Sequence, residues 1–217
     1  MITYKLHLLR HGMTQGNLEG RYVGRIDVDL CQPGIDEINE ALSHYEYPRV
    51  DRVYCSPLKR ARQTADLLYP HTPLTVVDGL MELSLGDFEG QLISKLAGTK
   101  ESAAWLKDAA NNPPPNALET AQEFHTRIHT ALNAIFMDMT QNKYTEAAVI
   151  CHGGVISGLL TQFGLPRAPQ TQWRSNNISG FTISMSTQMW MSMGVFEVVG
   201  AIGPKSDDLK FVVQETR

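Results

Sequence analysis

The chain has 217 residues, 42% hydrophobic and 19% charged, with a formal net charge of -4 and a pI near 6.0. This composition excludes a disordered or fibrous chain, and the acidic balance excludes a strongly basic nucleic-acid binder. No run approaches the ~20 apolar residues of a membrane helix, and three cysteines (Cys31, Cys55, Cys151) make no disulfide framework, so a cytoplasmic protein with no membrane partner is expected.

In chain order, Ile2 to Leu9 is an apolar run that ends in Arg10-His11-Gly12. It predicts a buried strand delivering a cation, an imidazole and a pliant backbone to one spot. Gly12 to Leu30, with four glycines, reads as a long loop over one face, and such loops are usually functional. Pro33-Gly34 opens a helix with Ile35, Ile38, Leu42 and Tyr45 at helical spacing. Val50 to Cys55 is a second strand. Ser56-Pro57 then predicts a cap for a helix through Tyr69, and Leu74 to Val77 is a third strand.

Glu82 to Gly90 is an acidic, glycine-rich loop. Gln91 to Asn112 is weakly helical, anchored by Trp105 and Leu106 and stopped by Pro113-Pro114-Pro115. This stretch, about 91–116, is expected to form a helical flap beside the sheet. Glu119 to Asn142 is a long amphipathic helix carrying Phe124, Ile128, Leu132, Ile135 and Met139. Ala147 to Cys151 is a fourth strand, running through His152-Gly153-Gly154 into a helix from Val155 to Phe163. Gly180 to Ser186 and Met189 to Val199 alternate and predict two antiparallel strands joined at Ser186-Thr187-Gln188, the methionines being strand packing. The tail after Pro204 carries no signal. Strand–helix alternation implies an α/β fold, a three-layer α/β/α sandwich with a mostly parallel sheet, in one domain over 1–217.

Two strands therefore end in His-Gly, at His11 and His152. In a parallel sheet these ends share an edge, and ligands bind there. Arg60 falls one turn into the helix after the second strand. Arg10, His11, Arg60 and His152 in one cleft would repel each other unless they share an anion, and a phosphoryl group fits guanidinium forks. A neighbouring imidazole could attack it, and a general acid would protonate the leaving alkoxide. Glu82 is the first candidate acid, with Asp87 and Glu89 as rivals. Glu89 is otherwise expected to make a structural hydrogen bond in the loop.

Leu8-Leu9-Arg10-His11-Gly12-Met13-Thr14 with Asn17 resembles the signature of the histidine phosphatase superfamily, the phosphoglycerate mutase-like proteins. Ser56-Pro57-Leu58-Lys59-Arg60-Ala61-Arg62-Gln63-Thr64-Ala65 is a second match. Glu82 with Gly86 to Gly90, and Cys151-His152-Gly153-Gly154, complete the set in order. Weaker matches are Asp29-Leu30 with Gly34, Glu119-Thr120 with Phe124 and Arg127, and Asn176 to Ser179. The resemblance implies that His11 is the phosphorylated nucleophile. Arg10, Arg60 and His152 would hold the phosphoryl group, and Glu82 would be the proton donor. Thr14, Asn17, Val23, Gly24 and Gly153 match positions lining the phosphate or substrate pocket. No metal or other cofactor is implied, and the partner is a small phosphorylated substrate. The chain departs from the pattern at Cys31 (often Thr), Leu118 (often Gly) and Met13, where an acid is usual at the pocket entrance.

Other chemistries fail on spacing. Six residues beyond Cys55 stands Ala61, and six beyond Cys151 stands Ser157, so the Cys-x5-Arg arrangement of cysteine phosphatases is absent. The glycines of 12–24 do not form a Walker motif. His125 and His129 have metal-capable spacing but lack an intervening glutamate, and an exposed helix face is expected for them. The expected activity is hydrolysis of a small phosphomonoester through phosphohistidine. The alternatives are a cofactor-dependent phosphoglycerate mutase, a specific alpha-ribazole phosphatase, or an idle phosphate-binding scaffold. Leu83-Ser84-Leu85-Gly86 follows the acid without the Arg-His-Tyr-Gly-like stretch and longer insert that shield a mutase site, which favours hydrolysis.

Overall fold

The computed structural model describes residues 2–204; the tail after Pro204 lies outside the described residues. The elements are β1 (Thr3–Arg10), α1 (Gln15–Leu18), α2 (Gln32–His44), β2 (Arg52–Cys55), α3 (Lys59–Leu68), β3 (Leu74–Val76), α4 (Ile93–Leu96), α5 (Lys100–Lys107), α6 (Ala121–Asn142), β4 (Glu146–Cys151), α7 (Gly153–Phe163), β5 (Gly164–Leu165), β6 (Gly180–Ser186), α8 (Thr187–Met193) and β7 (Phe196–Ile202). The sheet order is β3-β2-β4-β1-β6-β7-β5. β1, β4, β2 and β3 are parallel neighbours, while β6 runs antiparallel to both β1 and β7.

Strand alternation sorts the core onto two faces. Leu6, Leu8, Val149 and Cys151 face Phe124, Ile128, Ile135 and Phe136 of α6 and Val155 and Leu159 of α7. Leu9, Val53, Cys55 and Ile150 face Ile38 and Ala41 of α2 and Ala61 and Ala65 of α3. Helices thus cover both faces, the expected α/β/α sandwich. α6 starts in a capping box between Thr120 and Glu123, which satisfies two otherwise orphaned N–H groups.

Several local expectations are corrected. The strand expected over Met189–Val199 splits: Ser186 accepts the Met189 N–H as an N-cap, so residues 187–193 turn into α8 and β7 begins only at Phe196. Met191 and Met193 are exposed helix residues and not strand packing. Ser56 does not cap α3, whose N-cap is Leu58, without a side-chain bond. The 12–30 loop contains the short helix α1. In the flap, Trp105 packs as an anchor against Tyr22 and Phe88, but Leu106 is 70% exposed. His125 and His129 are half-buried, not exposed, because the His129 ring lies 5.0 Å from Phe163 and 5.2 Å from Trp190.

Candidate active site

Strand register assembles the site. Arg10 pairs with Cys151 across β1 and β4, so the residues that follow, His11 and His152, emerge side by side with ring centroids 5.1 Å apart. Cys55 pairs with Ile150, which sets Ser56 beside them and starts α3 so that Arg60 turns inward. Arg60 Nε donates to His11 Nε2 at 3.2 Å, and its other nitrogens donate to the carbonyls of Ile26 and Gly24 at 2.8 and 2.7 Å. Thr64 links the two motifs: it accepts the Gly12 N–H at 2.8 Å and donates to the Arg60 carbonyl at 2.6 Å.

These bonds fix the imidazoles. His11 Nδ1 lies 2.6 Å from the Gly12 carbonyl, which can only accept, so Nδ1 carries the proton. Nε2 is then the unprotonated nitrogen and accepts the Arg60 N–H. Ser56 Oγ lies 2.7 Å from His152 Nε2 and accepts the Leu58 N–H at 3.4 Å. Ser56 thus engages one ring nitrogen of His152 and leaves Nδ1 as the other. That nitrogen and Arg10 Nε are buried with no partner among the described residues. Buried polar atoms rarely stay unpaired, and a protonated phosphoryl oxygen or an oxyanion reaching either atom would satisfy it.

Burial pushes the imidazoles of His11 and His152 well below their ordinary value of 6.5; Arg60 and Arg10 add to this for both, and His11 also acts on His152. Both rings are therefore neutral at neutral pH. The linkage has a clear sign: below pH 6.5 the unfolded chain binds protons that the folded one refuses, so stability is full above 6.5 and falls as pH drops toward the depressed folded values. His7, lowered chiefly by burial, acts in the same direction. Denaturant midpoints should fall from pH 7.5 to pH 5.5, and saturating phosphate should restore much of the loss. A midpoint independent of pH over that range would contradict the neutral, buried pair.

Glu82 stands across the cleft. Its Oε1 accepts the Leu83 N–H at 2.8 Å and its Oε2 accepts the Gly154 N–H at 3.0 Å. The backbone beneath it is clamped: Arg25 Nε donates to the Glu82 carbonyl at 3.0 Å, and Arg127 donates to the Gly79 and Met81 carbonyls at 2.8 Å. Both arginines meet on Glu119, at 2.8 and 2.6 Å. Glu89 makes the expected structural bonds, accepting from the N–H groups of Arg25 and Leu85. Gly24 is required beside it: its φ is +55°, and a Cβ would stand 2.3 Å from Glu89 Oε1.

Arg10, His11, Arg60, Glu82 and Gly153 line one cavity of about 480 Å³, with Asn17, Val23 and Gly24. His152 sits behind His11, fully buried. Thr14 is not in the lining: it is buried as the N-cap of α1, accepting the Asn17 N–H. Met13 does not line the cavity either; its carbonyl accepts the Cys31 N–H. A larger groove of about 880 Å³ beside the C-terminal ends of α2 and α3 shares no residue with this cavity.

Several positions carry roles that the sequence does not reveal. Ser56 acts on His152 and not on a helix end. Ser175 and Asn177 hold the end of β1: Arg10 Nη1 donates to the Ser175 carbonyl at 2.8 Å and Asn177 donates to the His11 carbonyl at 2.7 Å. Ile178 follows with φ +54°, a conformation that β-branched residues rarely adopt. Its N–H donates to the Arg10 carbonyl and its carbonyl accepts from Tyr47, so the strained turn is over-determined by the site it supports. The weak Asn176–Ser179 match was its only trace. Among the described residues, no three His, Cys, Asp or Glu side chains group as a metal site, and no helix is long and apolar enough to cross a membrane.

The chain is 32% identical over 170 residues to a candidate phosphoserine phosphatase of Hydrogenobacter thermophilus, covering 74% of this chain and 80% of the relative. It is 26% identical over 217 residues to a candidate phosphoglycerate mutase of Cronobacter sakazakii, covering 95% and 99%. The fold matches the alpha-ribazole phosphatase of Shigella flexneri at TM-score 0.71 and 24% identity, over 89% of this chain and 94% of that one. A family model matches residues 6–192, nearly the whole described chain, and the chain belongs to the histidine phosphatase superfamily, branch 1.

Proposed function

We propose that this chain hydrolyses a small phosphomonoester, in one catalytic domain, through a phosphoryl group carried on His11 Nε2. The observation that carries the reading is the pair of bonds on His11: Nδ1 held on the Gly12 carbonyl at 2.6 Å and Nε2 presented to Arg60 at 3.2 Å. The ring is oriented, neutral and aimed into a cationic pocket. Arg10, Arg60 and His152 Nδ1 bind the phosphoryl oxygens and spread their charge as the P–O bond breaks. Asn17, Val23, Gly24 and Gly153 shape the pocket; Thr14 acts only through α1.

In the first half-reaction Nε2 forms a bond to phosphorus, the ester P–O bond breaks, and Glu82 gives its proton to the leaving alkoxide. In the second, Glu82 takes a proton from water, the water oxygen bonds to phosphorus, and the P–N bond breaks to return His11 and release phosphate. Hydrolysis is favoured over mutase transfer because Leu83-Ser84-Leu85-Gly86 follows Glu82 without a longer insert, and among the described residues α4 and α5 contribute just Ile93 and Trp105 to the cavity lining. The three free thiols fit a reducing, cytoplasmic setting.

The test is a phosphate-release assay with p-nitrophenyl phosphate in excess chelator, run beside a coupled assay for 2-phosphoglycerate formation from 3-phosphoglycerate. Phosphate release without isomerisation is expected. Isomerisation as the faster reaction would replace hydrolysis by the mutase reading, and the absence of both phosphate release and isomerisation would sink both.

A further inference from the structure

The reading above leaves the alcohol half of the ester undefined. The cavity has two chemically distinct parts. Around His11 it is cationic. The lining also carries an apolar set, Tyr22, Leu83, Leu85, Ile93 and Trp105, beside the polar Asn17, Arg21 and Gln170. These residues are not scattered surface. Tyr22 and Trp105 meet edge to face at 5.8 Å, and Phe88 packs on both at 6.3 and 5.8 Å. Leu85, Phe88 and Leu96 form the buried backing of the same cluster. Ile93, by contrast, is 44% exposed although apolar, and it lines this cavity. A preformed apolar wall beside a few fixed polar groups is the usual build of a small-molecule site.

The charges complete the argument. The lining holds three arginines and no lysine. Arg10 and Arg60 belong to the phosphoryl group. Arg21 is already paired, with Nε on Glu19 at 2.5 Å and Nη1 on the Gly90 carbonyl at 2.8 Å. Arg25 is bound to Glu119 and lies outside the lining. A carboxylate on the substrate would have to compete with Glu19 and the Gly90 carbonyl for Arg21, the one lining arginine that the phosphoryl group does not take, and desolvating it unpaired is costly.

We propose that the cavity takes phosphomonoesters of uncharged alcohols bearing an aromatic or apolar face, and discriminates against alcohols that carry a carboxylate. Trp105 and Ile93 are the specificity-determining residues. This inference rests on the phosphomonoesterase reading. Its test uses the full chain and three primary-alkyl esters with comparable leaving groups: 2-phenylethyl phosphate, ethyl phosphate and O-phosphoserine. The expected kcat/KM order is 2-phenylethyl first, by about ten-fold or more over O-phosphoserine. Trp105→Ala should cut the phenylethyl-to-ethyl ratio about ten-fold, chiefly through KM, while Trp105→Phe keeps most of it. Ile93→Asn, at an exposed position where folding is not at stake, should lower the ratio in the same sense. O-phosphoserine turned over as well as the phenylethyl ester overturns the inference, as does a ratio unmoved in both Trp105→Ala and Ile93→Asn, while the phosphatase reading stands. No turnover of any of the three esters overturns the phosphatase reading, and the inference with it.

Discussion

His11→Ala is expected to lower p-nitrophenyl phosphate turnover by on the order of 10⁴-fold or more, since losing a nucleophile removes the covalent route and not one contact among many. The fold should survive the change. His11 lies at the end of β1, and its backbone carbonyl keeps the Asn177 bond whatever the side chain. Its N–H likewise keeps the Cys151 carbonyl. What the alanine removes is the ring between Gly12 and Arg60. Phosphate binding should persist in the variant, because Arg10, Arg60 and His152 remain and the mutual repulsion of the cationic pocket still favours an anion. Two measurements check this. Enzyme incubated with labelled substrate and quenched in alkaline detergent should carry acid-labile, base-stable phosphate in the wild type and none in the variant, while phosphate still shifts the variant's thermal midpoint. Near wild-type turnover in His11→Ala would remove His11 from the nucleophile's role, and His152, 5.1 Å away, would be the next ring to examine.

How far this site could be read from the sequence depended on whether its parts obey a period or a register. β1 and β4 are apolar runs, and parallel pairing of two strands that both end in His-Gly suffices to bring His11 and His152 together. Arg60 follows from one helical turn. The corrections fall where a single side chain overrules a pattern. Ser186 can cap a helix, and that bond turns an alternating Met-rich stretch into α8. Ser56 precedes a helix as caps do, yet in the fold its hydroxyl meets an imidazole 96 positions away, a contact no local rule supplies. The Glu119 clamp is of the same kind: its partners come from the loop before α2 and from α6, and only the packed structure shows that they grip the backbone under Glu82. Ile178 shows the limit most plainly, since a β-branched residue in a left-handed turn is what local propensity argues against. Family resemblance located the residues; it did not explain why they hold still.

Glu82→Gln should divide substrates by their leaving groups. For an alkyl ester such as ethyl phosphate, phosphoenzyme formation should slow by about 10²- to 10⁴-fold, the usual worth of a positioned general acid. For p-nitrophenyl phosphate, whose leaving group needs little protonation, that step should slow far less, so single-turnover rates must be compared and not kcat alone. Glutamine is nearly isosteric, but it can only partly replace the carboxylate: one position still accepts the Leu83 or Gly154 N–H, and the other presents an NH₂ to a donor. Gly154→Ala reaches the same carboxylate from the opposite side. A Cβ there would stand 2.3 Å from Glu82 Oε1, so the side chain must move while its charge is kept. If protonation by a placed carboxylate is what Glu82 contributes, both variants should steepen the dependence of rate on leaving-group basicity, and Gly154→Ala should do so with His11 phosphorylation by the aryl ester largely retained. Equal losses for alkyl and aryl esters in Glu82→Gln would assign Glu82 to holding the α7 N-terminus in place, and the proton donor would have to be sought elsewhere in the cavity.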